Sequence, residues 1–422
     1  MCTGGSVVAG SPEYHRRVDE WRRSAPVYVD TFDGFRAYAI LTIAILHVAF
    51  FAQYVPSTDV PRALLVSTFL ALDVLFFVSG FVLFLPVVIT GGMGDLRAYA
   101  VRRVARLAPA FYVSLIVLAL AAPLLEPDLH NPFPPVDAGT ILSHVFFVHM
   151  EASIAYSTFV PGFGLNGPVW TLAIDVIFYA LLPLVAGWWL RRPFLGFGLA
   201  AAIAAGWTFA LDPGDQYFKH ALDPSALYLI WHQAPLFLAD CAAGMTAAWC
   251  FVRLRSSERA ADPNRRRATI VVALASGAAL VLLWYVVGAS LTDSRNPLVV
   301  AGSRFTEEPW LRMLVPAVLG VFAVSVSLGP RWLRYPLANP LSRRLADISY
   351  SIYLYHVMVL HFCVFTLGFD RGGTRGDFLA LGAAALSITL VVAWISYVLV
   401  ERPGRRLGRR IARRFEPRLV VR

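Results

Sequence analysis

Long apolar runs, broken by short basic segments, recur along the whole chain of 422 residues. A helix needs about 20 mostly apolar residues to cross roughly 30 Å of hydrocarbon. Ten stretches meet that need, at roughly 36–55, 62–89, 107–125, 168–190, 194–211, 225–252, 268–289, 311–328, 347–367 and 377–400. The pattern predicts an all-α, polytopic membrane protein with about ten transmembrane helices. The longest outer loop, 126–167, carries Ile141–Met150 (ILSHVFFVHM), which is apolar but too short to span and reads as a re-entrant or interfacial piece. Asn131–Pro135 and Pro161–Pro168 bracket it, as suits an ordered lid over a cavity. No internal repeat is evident.

Composition points the same way. The residues AVILMFWYC make up 58% of the chain and charged residues only 15%, and the mean hydropathy is +0.62. A soluble domain carries about 25% charged residues, so soluble, disordered and disulfide-scaffold classes are excluded. The net charge of +10 comes from 36 arginines and a single lysine, Lys219. These cations are distributed by side: 29 of the 37 fall in the amino-terminal tail, in 90–106, 191–192, 253–267 and 330–346, and after residue 400. The positive-inside rule then places both termini in the cytoplasm and the chain in the cytoplasmic membrane. Topogenic arginine accounts for the basic pI without nucleic acid as a partner. The chain divides into a cytosolic tail (1–34), a membrane domain (35–400) with the re-entrant segment at about 141–150, and a basic cytosolic tail (401–422). The stretch RRLGRRIARRF in that last tail reads as an amphipathic helix on anionic inner-leaflet lipid. Four scattered cysteines with no CxxC predict neither disulfides nor a metal site.

Ionisable groups at membrane depth are costly and by default functional or paired. Arg36 and His47 are eleven residues apart, close to three helical turns, so they share a face about 16 Å apart along the axis. Asp73, Asp175, Asp240 and His356 reach similar depths from other helices. They suit a buried, wet reaction chamber or a proton path, with interhelical hydrogen bonding as the plain alternative. Arg103 and Arg106 are i, i+3 neighbours with planar donors matched to phosphate; they equally serve to anchor a helix end.

Six blocks occur in order: Asp33-Gly34-Phe35-Arg36 with His47; Asp73-Val-Leu-Phe-Phe-Val-Ser79-Gly80-Phe; Arg103-Val-Ala-Arg106-Leu-Ala-Pro109-Ala-Phe-Tyr112; Trp170-Thr-Leu-Ala-Ile-Asp175-Val-Ile-Phe178-Tyr179; Ser349-Tyr350-Ser-Ile-Tyr353-Leu-Tyr-His356; and Glu401-Arg-Pro403. In this order they resemble the acyltransferase 3 family of integral membrane O-acyltransferases over residues 30–404. Two departures stand out: Asp175 occupies a position where the family usually has Glu, and the Phe pair after Asp73 is displaced by one residue. The chain also resembles a stand-alone member, ending 22 residues into a tail where some members append an esterase-like domain. Transfer is then completed by the membrane domain or handed to a separate protein.

The resemblance implies transfer from a cytosolic acyl-CoA, a co-substrate rather than a resident cofactor, to a hydroxyl of a carbohydrate, glycolipid or envelope glycan. In that frame Arg103 and Arg106 hold the CoA phosphates. His47 acts as general base or carries the acyl group transiently. Asp175 orients or charge-stabilises an imidazole, and Arg36 binds donor phosphate or steadies the chamber. His356, Tyr350 and Tyr353 line the acceptor side, and Asp73, Ser79 and Trp170 complete the expected substrate-binding set. The rival expectation is a proton-coupled transporter of an amphiphile, with Asp and His as the relay. Acetyl is the default acyl group; the acceptor and the oligomeric state are not encoded legibly.

Overall fold

The computed structural model describes residues 28–121, 138–156, 166–210, 230, 232–257, 262–290 and 310–416. Every regular element among them is helical, as hydrocarbon requires of a backbone that must satisfy its own hydrogen bonds. In chain order they are α1 (Thr31–Phe51), α2 (Asp59–Thr90), α3 (Leu96–Ala121), the short α4 (Ala138–Val145) and α5 (His149–Tyr156), then α6 (Gly167–Arg191) and α7 (Pro193–Ala210). There follow α8 (Ala234–Arg255), α9 (Pro263–Ser290), α10 (Leu311–Leu328), α11 (Pro340–His361), α12 (Arg375–Ser396) and α13 (Arg402–Ala412). Single π-turns, Phe362–Thr366 and Tyr397–Glu401, extend α11 and join α12 to α13.

Nine of the described helices are long and apolar enough to cross a membrane, α12 and α13 counting as one, and α10 is a shorter apolar helix. All ten expected spans therefore have a helix. Several begin earlier than the hydropathy suggests, α3 and α11 by the most. Helix α3 starts at Leu96 rather than near 107, because its arginines are good helix formers and carry the helix past the apolar zone. Helix α11 starts at Pro340 rather than 347. There the Asn339 side chain accepts from the Leu341 and Ser342 amides while the Ser342 hydroxyl accepts from the Asn339 amide, a capping box with proline at the first helical position. Most of the 1–34 tail, Asn131–Pro135, residues 161–165, Lys219 and 417–422 lie outside the described residues.

Helices α2, α8 and α11 form the interior, whereas α9 and α12 turn exposed apolar side chains such as Val271, Leu274, Val281, Val391 and Trp394 outward. The α2–α8 crossing is closest at Gly80 and Gly244, where a Cβ would strike the Cys241 carbonyl or the Phe77 carbonyl of the facing helix. Small residues at such a crossing let two backbones touch, which is how helices associate when the solvent is as apolar as their side chains. Around it Phe32 stacks on Phe81 at 3.6 Å between ring centroids, and Phe77, Phe84 and Phe111 are fully buried.

Two peripheral pieces close on this bundle. The α4–α5 elbow turns at Phe147, a non-glycine residue at φ 58°. Its ring stacks on Phe111 at 4.6 Å, and Tyr112 donates to the Val145 carbonyl at 3.0 Å. His144 and His149 are buried in the elbow. The basic tail helix α13 packs one face on protein. Gly404 and Gly408 seat it against Ala105 and Pro109 of α3, leaving Arg406, Leu407, Arg409 and Arg410 as its exposed face.

Candidate active site

Where α1, α2, α3, α6, α11 and the α12–α13 junction meet, they frame a half-open cavity, about 780 Å³ when the open space at its mouth is included. It lies toward the end of the bundle that holds the start of α1 and the tail helix. Its cations come from three separate helices: Arg36 from α1, Arg106 from α3 and Arg405 from α13. Asp175 and Glu401 are its carboxylates, and Leu72, Leu75, Phe76 and Leu172 give it an apolar flank. Glu401 is 3% exposed. One oxygen of Glu401 meets Arg405 at 3.2 Å and the other accepts from Ser351 at 3.1 Å. The π-turn sets this geometry by directing Glu401 inward one turn before Arg405, and such turns recur where a helix must re-aim a side chain.

Asp175 is less completely satisfied. Ser79 lies within hydrogen-bonding reach of its carboxylate, and Arg106, Arg36 and Arg103 are its cationic neighbours. Its Oδ1 is nevertheless buried without a hydrogen-bond partner. A lone carboxylate oxygen cut off from water is an unmet acceptor, and here it belongs to a residue that lines the half-open cavity. Arg103 stands behind that wall, its guanidinium 5.7 Å from the Tyr179 ring centroid and 5.3 Å from that of Tyr99. The Tyr99 hydroxyl in turn donates to the Tyr179 carbonyl at 3.0 Å.

Tyrosines of α11 line the opposite wall. Tyr350 donates to the Leu107 carbonyl at 2.9 Å, and the Tyr353 hydroxyl bonds Thr171 and the Pro168 carbonyl at the start of α6. One turn on, the His356 ring is 6.1 Å from that of Tyr353 and 5.0 Å from that of His47 on α1. His356 Nε2 and His47 Nδ1 are 3.4 Å apart. Two imidazoles from helices far apart in sequence therefore meet one turn beyond the cavity-lining Tyr353.

Acyl_transf_3, an acyltransferase-domain family, matches residues 29–398. The chain belongs to the acyltransferase 3 family. It is 24% identical to the peptidoglycan O-acetyltransferase OatA of Listeria monocytogenes over 90% of this chain and 56% of that protein. It is 25% identical to YrhL of Bacillus subtilis, a candidate peptidoglycan O-acetyltransferase, over 90% of this chain and 55% of that one. A candidate O-acetyltransferase of Staphylococcus aureus is 24% identical over 90% and 58%. The chain thus spans little more than half the length of these curated relatives. No solved structure matches it.

Among the residues that the family blocks single out, Arg36, Ser79, Arg106, Asp175, Tyr350 and Tyr353 line the cavity. Arg103 sits just behind it, and His47 and His356 form the histidine pair beyond Tyr353. The expectation that His356 lines the acceptor side becomes a contact with His47. Asp73 is buried on α2 away from the cavity wall. Trp170 packs edge-on against His232 at 5.3 Å and against Phe237 at 5.8 Å rather than on the cavity. Sequence reasoning passed over Glu401, Arg405 and Tyr179 as site residues. For the first two the usable signal was their i, i+4 spacing across the join of the last span and the tail.

Proposed function

We propose that this acyltransferase 3 protein moves an acyl group, acetyl in the first instance, from acyl-CoA entering at the basic, cytoplasmic end to a hydroxyl of an envelope glycan. The observation that carries the reading is the convergence of Arg36, Arg106 and Arg405 on one cavity against only two carboxylates. Planar guanidiniums suit phosphate, and the apolar flank suits an acyl chain or pantetheine arm. The orphaned Asp175 oxygen offers an acceptor to an amide or hydroxyl of the bound ligand. His47 takes the proton of the acceptor hydroxyl; its oxygen attacks the thioester carbonyl, the C–S bond breaks, and the proton passes to the departing CoA sulfur. The relatives' names, peptidoglycan O-acetyltransferase among them, support a glycan hydroxyl.

Thermal stability of detergent-purified protein against a panel of CoA thioesters tests this. A ligand at 100 times its Kd, bound only by the folded state, adds about 2.7 kcal/mol. Stabilisation by a short-chain thioester, lost in Arg106→Ala/Arg405→Ala, is the expected result. No response to any thioester overturns the donor and returns weight to a proton-coupled transporter.

A further inference from the structure

The histidine pair contains its own proton assignment. His356 Nδ1 lies 3.1 Å from the Ile352 carbonyl and 2.9 Å from that of Tyr353. Carbonyl oxygens only accept, so Nδ1 carries a hydrogen. His47 Nδ1 lies 2.9 Å from the Ile43 carbonyl and by the same logic also carries one. Its second neighbour is His356 Nε2, at 3.4 Å. Two N–H groups would otherwise face each other there, so His356 Nε2 must hold its lone pair. Both rings are then neutral Nδ1–H tautomers, and the remaining lone pair of His47, at Nε2, is left for chemistry.

We infer that His356 is a positioning residue for His47, its Nε2 sharing the His47 Nδ1–H with the Ile43 carbonyl so that His47 Nε2 is held as the proton acceptor. The inference rests on the proposed transfer reaction. When His47 Nε2 takes the hydroxyl proton, the imidazolium keeps Nδ1–H and strengthens its shared bond to the Ile43 carbonyl and His356 Nε2. The proton then leaves from Nε2 to the CoA sulfur, and His356 gains and loses nothing. A neutral imidazole thus fills the orienting place that a carboxylate fills in serine hydrolases. The long 3.4 Å contact suits a resting state that tightens as charge develops.

Two conservative variants separate positioning from packing. In His356→Asn the amide replaces the Nδ1 side of the ring, keeping the bond to the Ile352 and Tyr353 carbonyls and losing the acceptor toward His47. In His356→Gln the amide oxygen reaches the Nε2 position, keeping that acceptor. The expected result is a kcat loss of about 10–100-fold in His356→Asn, with KM for the thioester unchanged and substantial rescue in His356→Gln. Equal kcat in the two, or a better Asn variant, overturns the inference. His47→Ala, assayed alongside, isolates the parent reading: full activity there removes the base itself, whereas an inactive His47→Ala beside a fully active His356→Asn removes only the positioning. Nitrogen NMR of histidine-labelled wild-type protein, referenced to His47→Gln, reads the tautomer without a variant at 356. A protonated His47 Nε2 would contradict the assignment.

Discussion

Gly408 of the tail helix and Ala105 of α3 are in direct contact, and a methyl group on Gly408 would overlap the Ala105 side chain. One turn earlier Gly404 meets Pro109 in the same way, so a stripe of small residues holds α13 on α3. That seat carries Arg405 and Glu401 into the cavity. Gly408→Leu is expected to lift the tail helix and weaken stabilisation by CoA thioesters by at least tenfold in apparent affinity. The bundle itself should lose only about 1–3 kcal/mol, the usual range for overpacking. A variant that binds thioester like the wild type would show that α13 is not a working wall of the cavity.

The α2–α8 crossing tolerates no such change. At Gly80 and Gly244 a Cβ would meet backbone, which cannot rotate away. Gly80→Val and Gly244→Val are expected to abolish the monodisperse peak in detergent gel filtration. Gly187→Ala, with open space around it, should leave that peak and the melting temperature unchanged. A folded Gly244→Val protein would mean that the two helices are not in backbone contact.

The spans were legible because hydrocarbon imposes one rule on every backbone group, and hydropathy reports it directly. The shared helix was legible too: Arg36 and His47 both stand on α1. Partnership was not, since nothing local to His47 or His356 says that two helices so far apart in sequence turn these rings together. Asp73 and Trp170 were carried into the site by their motif blocks. A block fixes a helix but not the direction of each side chain: Asp73 is buried and does not line the cavity, and Trp170 packs against His232. The tail helix was half legible for a different reason. Its arginines drew attention to a lipid-facing surface, while Gly404, Gly408 and buried Ala412, at four-residue spacing, already marked a helix-packing face.

Asp175 offers a test of the unmet acceptor. Asp175→Asn preserves shape but halves the carboxylate's accepting capacity and removes its charge among Arg36, Arg103 and Arg106. Transfer is expected to fall by about 30- to 160-fold, the scale of a lost charge-assisted contact of about 2–3 kcal/mol. Asp175→Glu restores the residue usual in the family and should stay within about tenfold of wild type, the carboxylate being kept. The kcat values of the two variants decide it, and an Asn variant as active as the Glu variant would remove Asp175 from the chemistry.

The α4–α5 elbow predicts an acid sensitivity outside the site. His144 and His149 stack in parallel with centroids 4.4 Å apart and planes within 7°, and both are buried. Burial, reinforced by His144, pushes the His149 imidazole down from 6.5 to about 3. A histidine whose folded pKa lies below its unfolded one binds fewer protons when packed. The elbow therefore has full stability above pH 6.5 and loses it as the pH falls through the window from 6.5 to 3. Each unit costs at most about 1.4 kcal/mol, so about 2 kcal/mol has gone by pH 5. His149→Gln cannot be protonated, and its melting temperature should fall less between pH 7.5 and pH 5 than that of the wild type. Parallel pH profiles for the two proteins would show that the elbow does not exclude the proton. A steeper fall in the wild type, with thioester stabilisation kept at pH 7.5 in both, would locate the acid-labile element in α4 and α5 and not in the arginine-lined cavity.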